Sequence, residues 1–354
     1  MIQPRVFIAI LDWGLGHATR CIPIINCLLK KEVTVILGSN GRAKQLLQAE
    51  FPQLQIIELP TYNIRYFSTK MWWNIIWQWP KIIGAAWKEH RQLQKIITQK
   101  NIDYVISDSR FGCFSTKVPC VFLTHQLHIR IPFKSVQFLV NKINHYFINR
   151  FIECWIPDIE YPNNLAGELA HPAVHKQTYY LGILSRMWPQ NTPPIYPYLA
   201  VLSGPEPQRT YLEEQLISQA TKMNRPLTII QGKPASSGPI QLNDWITLIP
   251  VLTSSELNKM LCQTELVICR SGYTSLMDLA ILGKKALLIP TPGQTEQEYL
   301  AHQLQQQGIC HVQTQKDIDL SIDLPQAEKH PGFALSSYPQ NQLEKIITRF
   351  LASK

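Results

Sequence analysis

The hydrophobic residues of this chain fall in short runs divided by amphipathic stretches, and the pattern is laid down twice. In the first half, residues 6–11, 33–38, 54–58, 104–107 and 118–124 read as strands. Helices are expected over 18–30 and 42–50. A strand that alternates with a helix specifies a parallel sheet wound on both faces. A Pro-rich stretch, Trp188-Pro-Gln-Asn-Thr-Pro-Pro-Ile-Tyr-Pro197, interrupts the pattern and reads as a linker, because Pro stiffens the chain and removes donors. The alternation then resumes, with strands expected at 199–202, 227–231, 247–249, 266–269 and 286–289, and a last helix at 340–351. The 354 residues suit two domains, and 45% hydrophobic residues suffice for two cores. The expected division is a first α/β domain over residues 1–185, a linker over 186–198, a second α/β domain over 199–339 and a C-terminal helix over 340–354.

Charge narrows the partners. A net charge of +9 favours an anionic one: nucleic acid, a membrane surface or a phosphorylated substrate. Charged residues are only 17% of the chain and form no Lys/Arg block, so nucleic acid is not expected. The eight cysteines include no Cys-x-x-Cys pair and no zinc spacing, which is the usage of reduced thiols in a cytoplasmic protein. No Asp-x-Asp pair stands out for a divalent metal, and neither metal nor cofactor is expected. Residues 6–11 are too short for a signal-peptide core, and no run of 18 apolar residues predicts a membrane-spanning helix.

Loops at strand ends carry the polar residues that could do chemistry. Gly14-Leu-Gly-His-Ala-Thr-Arg20 follows the first strand. Gly14 and Gly16 let the backbone turn tightly beside a bound group, and the next helix offers unpaired N–H groups. A dinucleotide fingerprint needs Gly where Thr19 stands, so an NAD site is not expected. His17 at the loop tip suits either a general base or a helix-capping side chain. Asp108 and His125 follow two later strands and are candidates for an acceptor cleft. In the second half, Ser203-Gly204 with Arg209, and Gly232 with Lys233, follow strands as candidate phosphate contacts. The densest signal is Cys269-Arg-Ser-Gly-Tyr-Thr-Ser-Leu-Met-Asp278. A strand ends at Ser271-Gly272 and a helix begins near Thr274, giving a diphosphate a helix N-terminus. Asp278, one turn on, could accept hydrogen bonds from a ribose cis-diol. Glu296 and Gln297 open another helix after the next strand.

These loops resemble those of glycosyltransferase family 28, the family of the N-acetylglucosaminyltransferase that forms lipid II. The resemblance implies a GT-B fold: two Rossmann-like α/β domains with mainly parallel sheets facing an interdomain cleft, the acceptor domain first and the nucleotide-sugar donor domain second. It implies that Asp278, standing where the family has Glu, binds the ribose. The backbone at Val251 and Leu252 would hold the base. Ser203, Gly204, Arg209, Ser271, Gly272 and Thr274 would surround the diphosphate, Glu296 and Gln297 the donor sugar, and His17 the acceptor hydroxyl. The activity implied is an inverting, metal-independent transfer from a UDP-sugar to an acceptor that the sequence does not identify, a lipid-linked one among the candidates.

Three alternatives stay open. The Gly14-x-Gly16-His17-x-x-Arg20 loop also resembles that of UDP-sugar hydrolases. An epimerase would share the donor domain, and a non-catalytic peripheral membrane protein could bind the nucleotide sugar without turnover. Trp72, Trp73, Trp77 and Trp79, followed by Trp87, Lys88 and Arg91, form an aromatic, basic segment suited to an anionic membrane interface. Residues 129–151 repeat that mixture. Core packing is the competing role for both. The expected location is the cytoplasm, peripheral on the inner face of the cell membrane.

Overall fold

The computed structural model describes residues 3–62, 79–160, 164–233, 238–335 and 341–352. The chain divides into two compact units, one of Met1–Ser185 with Pro339–Lys354 and one of Arg186–Tyr338.

The first unit runs β1 (Arg5–Ile10), α1 (Leu15–Lys30), β2 (Thr34–Ser39), α2 (Gly41–Glu50), β3 (Gln55–Glu58), α3 (Trp79–Lys100), β4 (Tyr104–Asp108), β5 (Cys120–Leu123), α4 (Lys134–Ile148), β6 (Glu153–Ile156) and β7 (Thr178–Tyr180). Its seven strands lie in the order β3-β2-β1-β4-β5-β6-β7, each neighbouring pair parallel. Every residue of β4, β5 and β6 is buried, as helices on both faces of a parallel sheet require. Strand order reverses between β1 and β4. Their loops leave in opposite directions, and ligands of open α/β sheets bind at such a point.

A buried ion pair, Arg110 with Glu89, fastens this edge. Arg110 donates through Nε to Ile10 O at 2.8 Å, through Nη1 to Pro60 O at 3.0 Å, and to the Asn40 side chain. Tyr62 donates to Glu89 at 2.7 Å. Arg110 therefore ties together the segments that leave β1, β2 and β3. The last helix, α10 (Gln342–Leu351), packs on the same unit. Phe350 meets Tyr104 and Trp155 edge-on, with ring centres 5.0 and 5.2 Å away.

The second unit runs β8 (Tyr196–Val201), α5 (Gln208–Met223), β9 (Leu227–Ile230), β10 (Ile240–Gln241), β11 (Ile246–Ile249), α6 (Ser254–Cys262), β12 (Thr264–Cys269), α7 (Tyr273–Leu282), β13 (Lys285–Leu288), α8 (Thr295–Gln306), β14 (His311–Val312) and α9 (Leu320–Lys329). The order is β10-β11-β9-β8-β12-β13-β14, parallel except for β10 against β11. Order reverses again, between β8 and β12.

The structure extends the sequence expectation at short or interrupted strands. β8 begins at Tyr196, inside the Pro-rich stretch. Tyr196 and Tyr198, on either side of Pro197, pair with β12 alone, and pairing with β9 starts at Leu199, so the missing N–H of Pro197 is not needed. β7, β10 and β14 have two or three residues each, too few to show a period. Among the described residues, no helix is long and apolar enough to cross a membrane.

Candidate active site

In the first unit, the turn after β1 reaches Gly14 at φ 88°, a conformation that side chains disfavour, and α1 starts at the next residue. His17 and Arg20 stand three residues apart on α1 and so share a face. That face meets Asp108, the last residue of β4, whose register partner is Ile10 at the end of β1. His17 Nδ1 lies 3.1 Å from Asp108 Oδ2. Arg20 pairs with Asp108 through Nε at 3.1 Å and through Nη2, and Nη2 also donates to Ser109 Oγ at 3.1 Å. Arg20 Nη1 donates to His125 Nδ1 at 2.9 Å.

Burial would by itself raise the Asp108 carboxyl. The charges of Arg20 and His17, with their hydrogen bonds, outweigh it and hold the group at about 2. The His17 imidazole moves down, mainly because it is desolvated and next because Arg20 repels a second cation; Asp108 opposes both. His17 is thus neutral at pH 7. Although Arg20 Nη2 also lies 2.9 Å from His17 Nδ1, its two protons already have acceptors in Asp108 and Ser109. Asp108 Oδ2 needs the Nδ1 proton, which leaves Nε2 with its lone pair for a substrate proton. His17 is 16% exposed, whereas Asp108 is wholly buried and acts through His17.

In the second unit, four loops from the carboxyl ends of neighbouring strands meet. Gly204, at φ 100° after β8, is so close to the loop after β13 that a methyl group on it would stand 3.4 Å from Thr291 Oγ1. Gly232, at φ 64° after β9, lies against Leu202, where a methyl would stand 3.0 Å from the carbonyl oxygen. After β12, Ser271 donates to Gln297 O at 2.8 Å, and Gly272 is the N-cap of α7. Gln297, in the first turn of α8, accepts from Thr291 N at 2.9 Å. Ser203 and Gly204 are exposed, and Gly272, Thr274, Asp278, Glu296 and Gln297 are half-buried.

Of two further sequence candidates, Arg209 braces this group and Leu252 stands apart from it. Arg209 donates to Gly232 O at 2.7 Å and to Glu206 at 2.9 Å, so it braces the β8 and β9 loops. Leu252 follows β11, two strands from β8, just before Thr253 caps α6 in a capping box with Glu256.

Sequence reasoning passed over Arg20, Thr291 and Arg270 as site residues. Arg20 could have been found from its spacing to His17. Arg270 is a charge directly after the apolar run 266–269 that ends β12. Its side chain is 1% exposed and donates to Ile289 O, Pro290 O, Gln208 O and Gln315 Oε1 at 3.1, 3.2, 2.9 and 2.6 Å. Burial pulls the guanidinium down to about 10.

Comparison with known proteins identifies the family. The glycosyltransferase family 28 C-terminal domain matches residues 212–330. A UDP-N-acetylglucosamine--N-acetylmuramyl-(pentapeptide) pyrophosphoryl-undecaprenol N-acetylglucosamine transferase of Caldanaerobacter subterraneus subsp. tengcongensis is 33% identical over 326 residues, 86% of this chain and 85% of the relative. The chain belongs to glycosyltransferase family 28. The family-28 enzyme is a hexosyltransferase with the GT-B fold expected from its loops. Among solved structures, the glycosyltransferase SnogD from Streptomyces nogalater has a TM-score of 0.65 at 12% identity, covering 99% of both chains. Acinetobacter baumannii MurG has a TM-score of 0.58 at 14% identity, covering 99% of this chain and all of its own.

Asp108→Asn leaves Arg20 buried without its carboxylate, and the expected loss is about 3–5 kcal/mol. In the wild type the carboxyl sits lower in the folded than in the unfolded chain. Its contribution is therefore complete above about pH 4 and is lost as pH falls toward 2. Urea unfolding at pH 7 and an acid titration followed by circular dichroism test both statements; equal stability of the two proteins at pH 7 would contradict them.

Proposed function

We propose that the family-28 enzyme moves the sugar of a UDP-sugar to a hydroxyl of a lipid-linked acceptor, in one inverting displacement that needs no metal. The observation that carries this reading is the meeting of Ser203-Gly204, Gly232, Ser271-Gly272 and Gln297 where the second sheet reverses its strand order. Such a meeting suits a nucleoside diphosphate. The Caldanaerobacter relative is named for UDP-N-acetylglucosamine and a pyrophosphoryl-undecaprenol acceptor, and both are proposed here by relation.

In this reading Asp278 binds the ribose, the backbone at Leu252 the base, and Glu296 with Gln297 the sugar. Gly204, Ser271, Gly272 and Thr274 surround the diphosphate, with the α7 N-terminus stabilising the charge that develops there. Arg209 supports these loops through Gly232. Gly14 and Gly16 admit the donor close to the α1 turn. His17 Nε2 takes the acceptor proton as the hydroxyl oxygen bonds to the anomeric carbon. The bond from that carbon to the diphosphate oxygen breaks, and the diphosphate leaves with the electron pair. The proton stays on His17, where Asp108 stabilises the imidazolium. His125 steadies Arg20 behind this pair. A UDP-sugar hydrolase would use the same His17–Asp108 pair on water. Incubation with the UDP-sugar alone separates the two readings, since rapid hydrolysis without acceptor would favour the hydrolase.

A peripheral seat on the inner face of the cell membrane belongs to the same proposal. Trp72, Trp73 and Trp77 lie outside the described residues, as does the side chain of Trp79. The support comes from α4, where Lys134, Phe138, Lys142 and Tyr146 recur every four residues and all are exposed. Arg150 lies over the Tyr146 ring at 5.0 Å. The opposite face is anchored by Asn144, which donates to Gln126 O and Leu127 O at 3.0 and 3.1 Å. On α3, exposed Ile83 and Trp87 share a face, with Arg91 3.5 Å above the Trp87 ring. Rings flanked by cations fit the headgroup level of an anionic bilayer.

His17→Ala should slow turnover by about a hundredfold or more while UDP affinity changes little, as removal of a general base does. In the wild type, kcat/KM should climb with pH through a group below the ordinary imidazole value. Full activity of the variant would remove His17 as the base. Asp278→Ala should weaken UDP by about tenfold, the worth of a charged hydrogen bond, and unchanged affinity in calorimetry would refute the ribose contact. Vesicles containing phosphatidylglycerol should sediment the protein at low ionic strength and release it in about 0.5 M salt. Failure to sediment at low salt would end the membrane proposal.

A further inference from the structure

Among the described residues, three arginines are fully buried: Arg20, Arg110 and Arg270. Two have a carboxylate, Asp108 for Arg20 and Glu89 for Arg110. Arg270 has four carbonyl acceptors and no carboxylate at ion-pair distance among the described residues. Carbonyl dipoles lower the cost of burying a cation but leave its net charge unbalanced, and a buried unpaired charge is expensive. The same spot holds two buried polar atoms without hydrogen-bond partners, Arg270 Nε and Thr291 Oγ1. Thr291 follows Pro290, whose carbonyl accepts from Arg270, and it neighbours Gly204. Ser271 and the α7 N-cap Gly272 follow Arg270 directly. An uncompensated cation and two unpaired polar atoms thus lie behind the loops proposed for the donor diphosphate.

We infer that Arg270 is a positioning residue whose unpaired charge is balanced by the bound diphosphate, so that this site selects nucleoside diphosphates over less charged nucleotides. The inference rests on the donor-site reading above. The guanidinium need not touch the ligand. In a poorly screened interior its field extends past Ser271, and it adds to the positive end of α7. Its fork also ties the start of α5 through Gln208, the loop after β13 through Ile289 and Pro290, and the segment after β14 through Gln315. The charge therefore sits on three loops whose positions it helps to set.

Calorimetric titration of UDP, UMP and uridine into wild type, Arg270→Met and Arg270→Lys tests this. Arg270→Met should weaken UDP by about tenfold and UMP by less, with uridine held within about twofold, because the lost interaction scales with ligand charge. Arg270→Lys keeps the charge without the fork and should recover most of the UDP affinity. Unchanged UDP affinity in Arg270→Met would overturn the inference. So would an equal loss of UDP and uridine, or an Arg270→Lys variant as weak as Arg270→Met, since each outcome reduces Arg270 to a structural brace. If wild type binds uridine and UDP equally poorly, the donor-site reading itself fails, a result distinct from failure at Arg270. Should Arg270→Met not fold, Arg270→Gln takes its place. Wild type also gives a reading without any variant: inorganic pyrophosphate at low salt should raise its Tm, and no shift would count against the inference.

Discussion

Each sheet reverses its strand order once, and the chemistry of this chain depends on those two reversals. Between β1 and β4, and between β8 and β12, adjacent parallel strands send their loops in opposite directions. A parallel sheet needs its helices on both faces, so each strand's outgoing loop must emerge at the carboxyl edge. At the reversal no crossover helix covers that edge. In the first unit the opening joins the α1 residues His17 and Arg20 to Asp108. In the second it gathers Ser203, Gly204, Ser271 and Gly272, with α7 presenting its N-terminus.

The two openings handle charge differently. Around Asp108 the cation and anion are matched within the protein, and Arg20 and His17 hold the carboxyl ionised at about 2. The pair stays charged through the whole working range, which leaves His17 as the group able to gain and lose a proton. Around Arg270 the described residues supply dipoles but no anion at ion-pair distance. A closed, self-neutral network suits a device that returns to its starting state in every cycle. An open one suits a site whose ligand brings its own negative charge.

The glycine positions show how a loop's composition becomes function. Gly14 and Gly204 adopt positive φ at the first turns after β1 and β8, and each exposes backbone where a side chain would otherwise stand. Gly232 has a further constraint, since even a methyl would crowd the Leu202 carbonyl. Arg209 was legible as a cation close after β8, but its guanidinium is engaged by Glu206 and the Gly232 carbonyl. It is a brace between two loops. Arg110 stands two residues beyond Asp108, the last residue of β4. A left-handed residue at Ser109, which has φ 56°, lies between the two, and Arg110 pairs with Glu89 on α3.

Most of the strands, the restart of the α/β pattern after the Pro-rich stretch, and the glycine- and serine-bearing loops at strand ends were readable from the sequence alone. Those features are local: apolar runs, helix periods and turn residues depend on near neighbours in the chain. The short strands β7, β10 and β14 were not readable, because two or three residues carry no period and pairing with a neighbour is what makes them strands. Nor was the union of His17 with Asp108, separated by 91 residues, or the contrast between a paired Arg20 and an unpaired Arg270. Sequence announces that a charge is present, but whether it is buried, and whether an opposite charge reaches it, is decided by the strand order that brings distant loops together.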